Sequence, residues 1–255
     1  MGFMLSPGLV SISYRELSPR QIIDLCADTA IAGIEWGGDI HVPHGDLPIA
    51  REVAQMTRDA GLQIASYGSY YRCGAALEFE RVLESAVELG APLIRVWAGQ
   101  DGDDFSAVTD DLRRICELAR AQNVGVATEY HGGTLTETRD STARLFTEVR
   151  DSGLQTLWQP LRRGAGMNLK TPENLEDLRA VVPFLANVHI YEWRDIEAGK
   201  TRRFSLQNSA QWPTYIEELK KIGGDRWMLL EYVADDDPKA LKGEAEALRD
   251  LIEKS

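Results

Sequence analysis

Cysteine is scarce: only Cys26, Cys73 and Cys116 occur in 255 residues, far apart and without CxxC spacing. That excludes a disulfide scaffold and a thiolate zinc site, and points to reduced thiols in a cytoplasmic protein. No apolar run approaches the roughly 18 residues a membrane-spanning helix needs. The N-terminal stretch also lacks the basic segment and apolar core of a secretory signal. No GxGxxG lies near Gly8 and no GxxxxGK(S/T) occurs anywhere, which removes the dinucleotide and phosphate-loop fingerprints. Basic residues are outnumbered, 28 against 40 acidic, for a net charge of −12. A phosphate-backbone partner is therefore excluded from the expected functions, since nucleic-acid binding needs the opposite field.

What the chain does have is a steady beat. Gly33, Gly61, Gly90, Asn123, Gly153 and Gly223 each stand between a helix-like stretch and an apolar strand-like run, at intervals of 28, 29, 33, 30 and 70 residues. Gly and Asn accept the left-handed backbone that closes a helix, and one βα unit takes about 30 residues. The double interval hides a unit ending at Val182-Pro183. Ser18-Pro19, Thr171-Pro172 and Asp237-Pro238 supply helix starts, each with a capping side chain before a first-turn proline. Strands are then predicted at Leu9–Tyr14, Gly33–Gly37, Gln63–Gly68, Leu93–Ala98, Val124–Tyr130, Leu154–Gln159, Ala186–Tyr191 and Arg226–Val233. Eight strand–helix units without a linker or composition shift predict one domain over residues 1–255, a single (β/α)8 TIM barrel of the α/β class.

Barrel strands alternate between lumen and helix layer, and their C-terminal ends carry the active site. In Asn187-Val188-His189-Ile190-Tyr191 the apolar residues face the helices, which turns His189 inward. In Val124-Gly125-Val126-Ala127-Thr128-Glu129 the small residues point in, and Glu129 follows them, with His131 next. Arg95 and Trp97 point inward from the fourth strand, Gln159 tops the sixth, and Glu231 ends the apolar run of the eighth. Glu129, Gln159, His189 and Glu231, spaced 30, 30 and 42 residues apart, top four successive strands. Two carboxylates, an imidazole and an amide oxygen make an octahedral O/N site for one divalent metal ion, Mn²⁺, Mg²⁺ or similar.

Gly33-Ile34-Glu35, Glu129-Tyr130-His131, Val188-His189-Ile190 and Leu229-Leu230-Glu231-Tyr232 together resemble the sugar isomerase/epimerase family of the xylose isomerase-like TIM barrel superfamily. The superfamily also holds a family of AP endonucleases, but their trinuclear zinc site needs many more histidines than His41, His44, His131 and His189. The resemblance covers the whole chain and implies metal ligands Glu, Asp, His and Glu on strands five to eight. Glu129, His189 and Glu231 match; Gln159 stands where the family has Asp, and Arg162 where it often has His.

The resemblance implies a divalent-metal-dependent isomerase or epimerase of a small-molecule sugar or sugar derivative. An α proton leaves and a metal-stabilised ene-diolate forms, with Glu129 and Glu231 removing and returning the proton. Trp36, Trp97 and Trp193 at strand ends are candidates to stack on a sugar face, and His44 to meet its hydroxyls. Arg95 and His131, facing the lumen, are further candidates to bind the substrate. Arg162 and Arg203, in loops after strands six and seven, are candidates to hold a carboxylate or phosphate. Two alternatives keep the same residues: a dehydratase or lyase on a keto-inositol or sugar acid, and a non-catalytic sugar-binding barrel. A homo-oligomer is left open.

Overall fold

The computed structural model describes residues 4–75, 78–161, 171–197 and 200–254. The strands run in chain order as β1 (Leu5–Val10), β2 (Gly33–Gly37), β3 (Gln63–Arg72), β4 (Leu93–Trp97), β5 (Gly125–Glu129), β6 (Gln155–Trp158), β7 (Leu185–Ile190), β8 (Trp193–Glu197), β9 (Lys200–Arg203) and β10 (Arg226–Leu230). Eight of them close a parallel barrel in the order β1-β10-β7-β6-β5-β4-β3-β2, and β8 and β9 form a separate antiparallel hairpin. The helices are α1 (Pro19–Cys26), α2 (Leu47–Asp59), α3 (Phe79–Leu89), α4 (Phe105–Ala121), α5 (Arg139–Glu148), α6 (Thr171–Val181), α7 (Trp212–Ile222) and α8 (Leu241–Lys254). The (β/α)8 expectation holds. No helix among the described residues is long and apolar enough to cross a membrane.

The local signals act as their chemistry requires. Ser18 caps α1 in a reciprocal box with Gln21, and Gly90 closes α3 at φ 79°. Gly33 behaves differently from the expected helix stop. It lies inside the barrel, where a Cβ would stand 2.7 Å from the Trp227 ring, so the glycine makes room for an indole.

Side-chain alternation builds two layers. Leu9, Ile34, Ile94, Val126, Val188 and Ile190 are buried against the helices in the main core. Leu93, Ala127 and Leu157 form a small separate cluster, and Val10, Ala65 and Leu229 belong to another. Leu93, Ala127, Leu157 and Leu229 each precede by two residues a polar side chain of the same strand face: Arg95, Glu129, Gln159 and Glu231. An apolar plug thus underlies the polar layer, and water is excluded from below it.

Two expectations needed revision. The first strand ends at Val10, and Ser11–Tyr14 turns into a 3-10 helix. There the Ser11 hydroxyl accepts from the Gly37 amide at 2.8 Å and the Ser13 hydroxyl from the Tyr232 amide at 2.7 Å. Serine side chains thus take up neighbouring strand ends in place of a continued ladder. The segment holding Lys200, Arg202 and Arg203 is one arm of the hairpin rather than a plain loop, with Trp193 paired to Arg203.

Candidate metal centre and active site

At the C-terminal end of the barrel, Glu129, His189 and Glu231 bring one ligand atom each within 4.8 Å of one another. His189 is fully buried, and its Nδ1 lies 3.6 Å from a carboxylate oxygen of Glu129 and 3.6 Å from one of Glu231. Among the described residues that nitrogen has no hydrogen-bond partner. An orphaned buried nitrogen facing two carboxylates at that separation is a poor hydrogen-bonding arrangement but a good donor set for a divalent cation. Burial opposes a charge on His189, yet Glu35 and Glu231, with Glu129 behind them, raise its pKa well above the usual value. The surroundings therefore favour positive charge at this spot, as a cation on the Nδ1 side would supply.

The other ring nitrogen, Nε2, faces Glu35 Oε2 at 3.4 Å. A carboxylate behind a metal-binding histidine fixes its tautomer and ring plane. Glu35 is itself tied down by the Ser66 hydroxyl at 2.6 Å and by Arg95 Nε at 2.8 Å. Arg95, 1% exposed, spans the lumen and donates through Nη1 to Glu129 Oε2 at 2.5 Å. Burial pushes the Glu35 carboxyl up, but Arg95 and then His189 outweigh it and hold it at about 2. Glu129 is likewise held well below the carboxylate range, with Arg95 the main opponent of burial.

Glu129 is the most heavily engaged group. Besides Arg95 it accepts from Trp97 Nε1 at 2.7 Å and from Gln159 Nε2 at 2.9 Å. Gln159 thus reaches the centre as a donor to Glu129. Its oxygen would serve a cation only after a half-turn of the amide, a torsion that exchanges donor and acceptor. Glu231, in contrast, lines an open pocket of about 230 Å³ together with His131, Gly132, Gln159, Leu161, Tyr191, Trp193 and Tyr232.

The remaining sequence candidates divide. His131 stacks on Trp97 with ring centroids 5.5 Å apart and lines the pocket. Trp193 lines it too, against Tyr191 and Tyr232. Arg203 stands 3.9 Å over the Tyr232 ring and pairs with Asp236, at the pocket's edge. His44 is bound to the Ser69 carbonyl at 2.6 Å, so it braces the end of β3 and is absent from the pocket wall. Trp36 is misplaced by the sequence reading. Glu35 takes the lumen face of β2, so Trp36 must take the helix face, where it is fully buried and donates to Thr57 of α2 at 3.2 Å. Arg162 lies outside the described residues.

Glu35 and Tyr70 were missed as site residues. The signal for Glu35 was present: it sits between apolar Ile34 and Trp36, as His189 sits between Val188 and Ile190. Tyr70 lies beyond the expected end of the third strand, at φ 56°, with Arg95 5.0 Å over its ring and Trp97 edge-on.

Comparison with known proteins agrees with this architecture. A curated relative, the 3-dehydroshikimate dehydratase of Bacillus anthracis, is 29% identical over 164 residues, 58% of this chain and 59% of that protein. The match thus spans less than two thirds of its length. Among solved structures, the probable 3-DHS dehydratase AsbF, involved in petrobactin synthesis in Bacillus anthracis, superposes with TM-score 0.78 at 20% identity, covering 96% of this chain and 99% of that one. The IOLI protein with a bound zinc atom gives 0.77 at 14% identity over 98% and 99%. D-Psicose 3-epimerase of Clostridium cellulolyticum H10, solved with D-tagatose, gives 0.73 at 13% over 98% of each. Residues 23–251 match the family described as xylose isomerase-like TIM barrel. The chain belongs to the xylose isomerase-like TIM barrel family.

Proposed function

We propose that this protein is a divalent-metal-dependent dehydratase acting on a small hydroxy-ketone acid, with Glu129, His189 and Glu231 holding the cation and Gln159 beside them. The observation that carries this reading is the asymmetry of the two glutamates. Inversion by two bases needs two carboxylates free to exchange protons with opposite faces of one carbon. Glu129 accepts from Arg95, Trp97 and Gln159, and a carboxylate so saturated is a weak base. That disfavours inversion by the pair of glutamates, whereas loss of water requires only one base. The similarity to a 3-dehydroshikimate dehydratase supports the same choice.

A divalent cation at this centre supplies Lewis acidity toward a ketone oxygen. The protein's own proton carrier is His131. Its Nδ1 is 2.6 Å from the Gly132 carbonyl, which can only accept, so the neutral ring carries its proton on Nδ1 and its lone pair on Nε2. Nε2 takes the proton α to the ketone, and the imidazolium returns it to the β-hydroxyl as that carbon–oxygen bond breaks. The carbon–carbon double bond forms and one water leaves. Trp97 holds the imidazole plane by stacking, and Tyr191, Trp193 and Tyr232 wall the pocket against solvent.

The test incubates the protein, loaded in turn with Mn²⁺, Mg²⁺ and Zn²⁺, with 3-dehydroshikimate and with a panel of ketoses in ²H₂O. We expect ultraviolet absorbance to grow from a conjugated product of the keto acid, and His131→Asn to abolish it with metal content unchanged. Inversion or isomerisation of a ketose, with deuterium entering and no water lost, would replace the dehydratase by the isomerase/epimerase reading.

A further inference from the structure

A second cavity, of about 400 Å³, adjoins the metal pocket and shares Tyr232 with it. Its wall carries Ile12, Leu17 and Pro238 as apolar surface and two arginines, Arg15 and Arg203. No metal ligand lies on it. Each arginine is set against an aromatic ring at a strand end, Arg15 5.6 Å from the Tyr70 centroid and Arg203 3.9 Å from that of Tyr232. Both tyrosines have left-handed backbone, φ 56° and 70°, a conformation that costs a bulky L-residue energy and gathers at ligand-binding ends of strands. Of the two strained tyrosines under guanidinium groups, Tyr232 lines the cavity itself, and Tyr70 stands behind Arg15, which does.

Each arginine also meets one aspartate at the protein surface. Arg15 bonds Asp39 at 2.6 Å and the Tyr70 hydroxyl at 3.2 Å, both through Nη2. Among the described residues its Nε and Nη1 make no hydrogen bond. Arg203 pairs with Asp236, a residue of the same cavity wall. Both pairs are solvent-accessible, and such pairs hold their partners weakly. A guanidinium stacked on a ring keeps its plane while it exchanges one oxyanion for another, and its fork matches a carboxylate or phosphate.

We propose that Arg15 and Arg203 form an anion subsite that receives the carboxylate or phosphate of a ligand whose reacting end lies at the metal pocket, with Asp236 as the internal occupant that the ligand displaces. This deepens the reading above by assigning the acid group of the substrate to named residues, and it rests on that reading only for the chemistry at the other end.

The test is calorimetric titration of the Mn²⁺-loaded protein with quinate, a hydroxylated ring bearing a carboxylate, and with myo-inositol, a neutral hydroxylated ring. Quinate is expected to bind at least tenfold more tightly. Arg15→Met and Arg203→Met should each remove most of that preference and leave inositol binding and metal stoichiometry unchanged. Asp236→Asn should act in the opposite direction and tighten quinate severalfold. Asn tolerates the left-handed backbone of Asp236, φ 57°, so this variant changes charge and little else. Inorganic phosphate that competes with quinate assigns the subsite to oxyanions in general; phosphate that binds where quinate does not assigns it to a phosphorylated ligand. Equal binding of quinate, phosphate and inositol, or Arg203→Met and Asp236→Asn shifting binding in the same direction, would overturn the subsite. Because the readout is binding, a failed dehydratase assay with the quinate preference intact removes the proposed chemistry and leaves the subsite standing.

Discussion

Replacing Arg95 by methionine tests the interior of the site most directly. Its guanidinium lies between Glu35 and Glu129 at 2.8 and 2.5 Å, with 2% of its side chain exposed and the two carboxylates equally enclosed. Removing one partner of a buried ion pair costs about 3–5 kcal/mol, because the other charge stays buried and unpaired. The Glu35 carboxyl gives a comparable figure. It is held at about 2 against an ordinary 4.5, and at 1.36 kcal/mol per pH unit that is about 3 kcal/mol. The sign follows from the depressed pKa. This stabilisation is complete above pH 4.5 and disappears as pH falls from there toward 2. In Arg95→Met the order reverses, since an unpaired buried carboxylate prefers its proton, so the variant should regain stability on going from pH 7 to pH 5. Urea denaturation in chelator at both pH values measures this. Arg95→Met/Glu35→Gln should recover a substantial part of the loss, because it removes one of the stranded charges. A single variant within about 1 kcal/mol of the parent, or a double variant no more stable than the single, refutes the reasoning.

Four further outcomes follow from the same geometry. Metal content should fall well below that of the parent in both Glu231→Gln and His189→Ala, read by atomic emission after dialysis; unchanged stoichiometry in both would remove the centre. Gln159→Asp should tighten Mn²⁺ binding in calorimetric titration by adding a charged oxygen ligand, and an unchanged affinity would place residue 159 outside the coordination sphere. Gly68→Ala should destabilise by about 1–3 kcal/mol, since its Cβ would stand 2.7 Å from Arg95 Nη2 and 2.8 Å from Glu35 Oε1; a neutral effect in thermal unfolding would mean that the ion pair can shift. Burial pushes Cys26 up to about 12 and Cys116 to about 11, and Cys73 well above the usual thiol value. Native protein at pH 8 should therefore resist Ellman's reagent until denaturant exposes all three thiols, and rapid native labelling would contradict that burial.

Much of this architecture was legible because two local rules repeat. Left-handed residues at Gly61, Gly90, Asn123, Gly153 and Gly223 do punctuate the units, and strict alternation turned Glu129 and His189 inward. The rules fail where a side chain competes with them. At Ser11 and Ser13, hydroxyls capture neighbouring amides and end the first strand early, which periodicity does not encode. Among the described residues the two arms of the Trp193–Arg203 hairpin pair only with each other, so nothing in the strand–helix beat announces it. Trp36 was assigned by residue type, an aromatic at a strand end, and that choice hid Glu35 although alternation alone would have found it. Nor does any motif state that Arg95 joins Glu35 and Glu129, since the three residues come from three strands and meet only when the barrel closes.

That closure also explains why residue 159 can be an amide. Three carboxylates, Glu35, Glu129 and Glu231, converge with one guanidinium, Arg95, which leaves two negative charges in a largely buried site when His189 is neutral, as a metal ligand must be. A divalent cation would balance them, and the apolar plug beneath gives any surplus nowhere to be solvated. An aspartate at 159, as the family resemblance implies, would add a third uncompensated charge beside Glu129. With Gln159 donating to Glu129 at 2.9 Å, the same position helps hold the carboxylate that already answers to Arg95. The charge count thus couples the amide to the arginine. Metal affinity gained by Gln159→Asp should then come at the cost of stability in the metal-free protein, and less so where Glu35→Gln has already removed one charge.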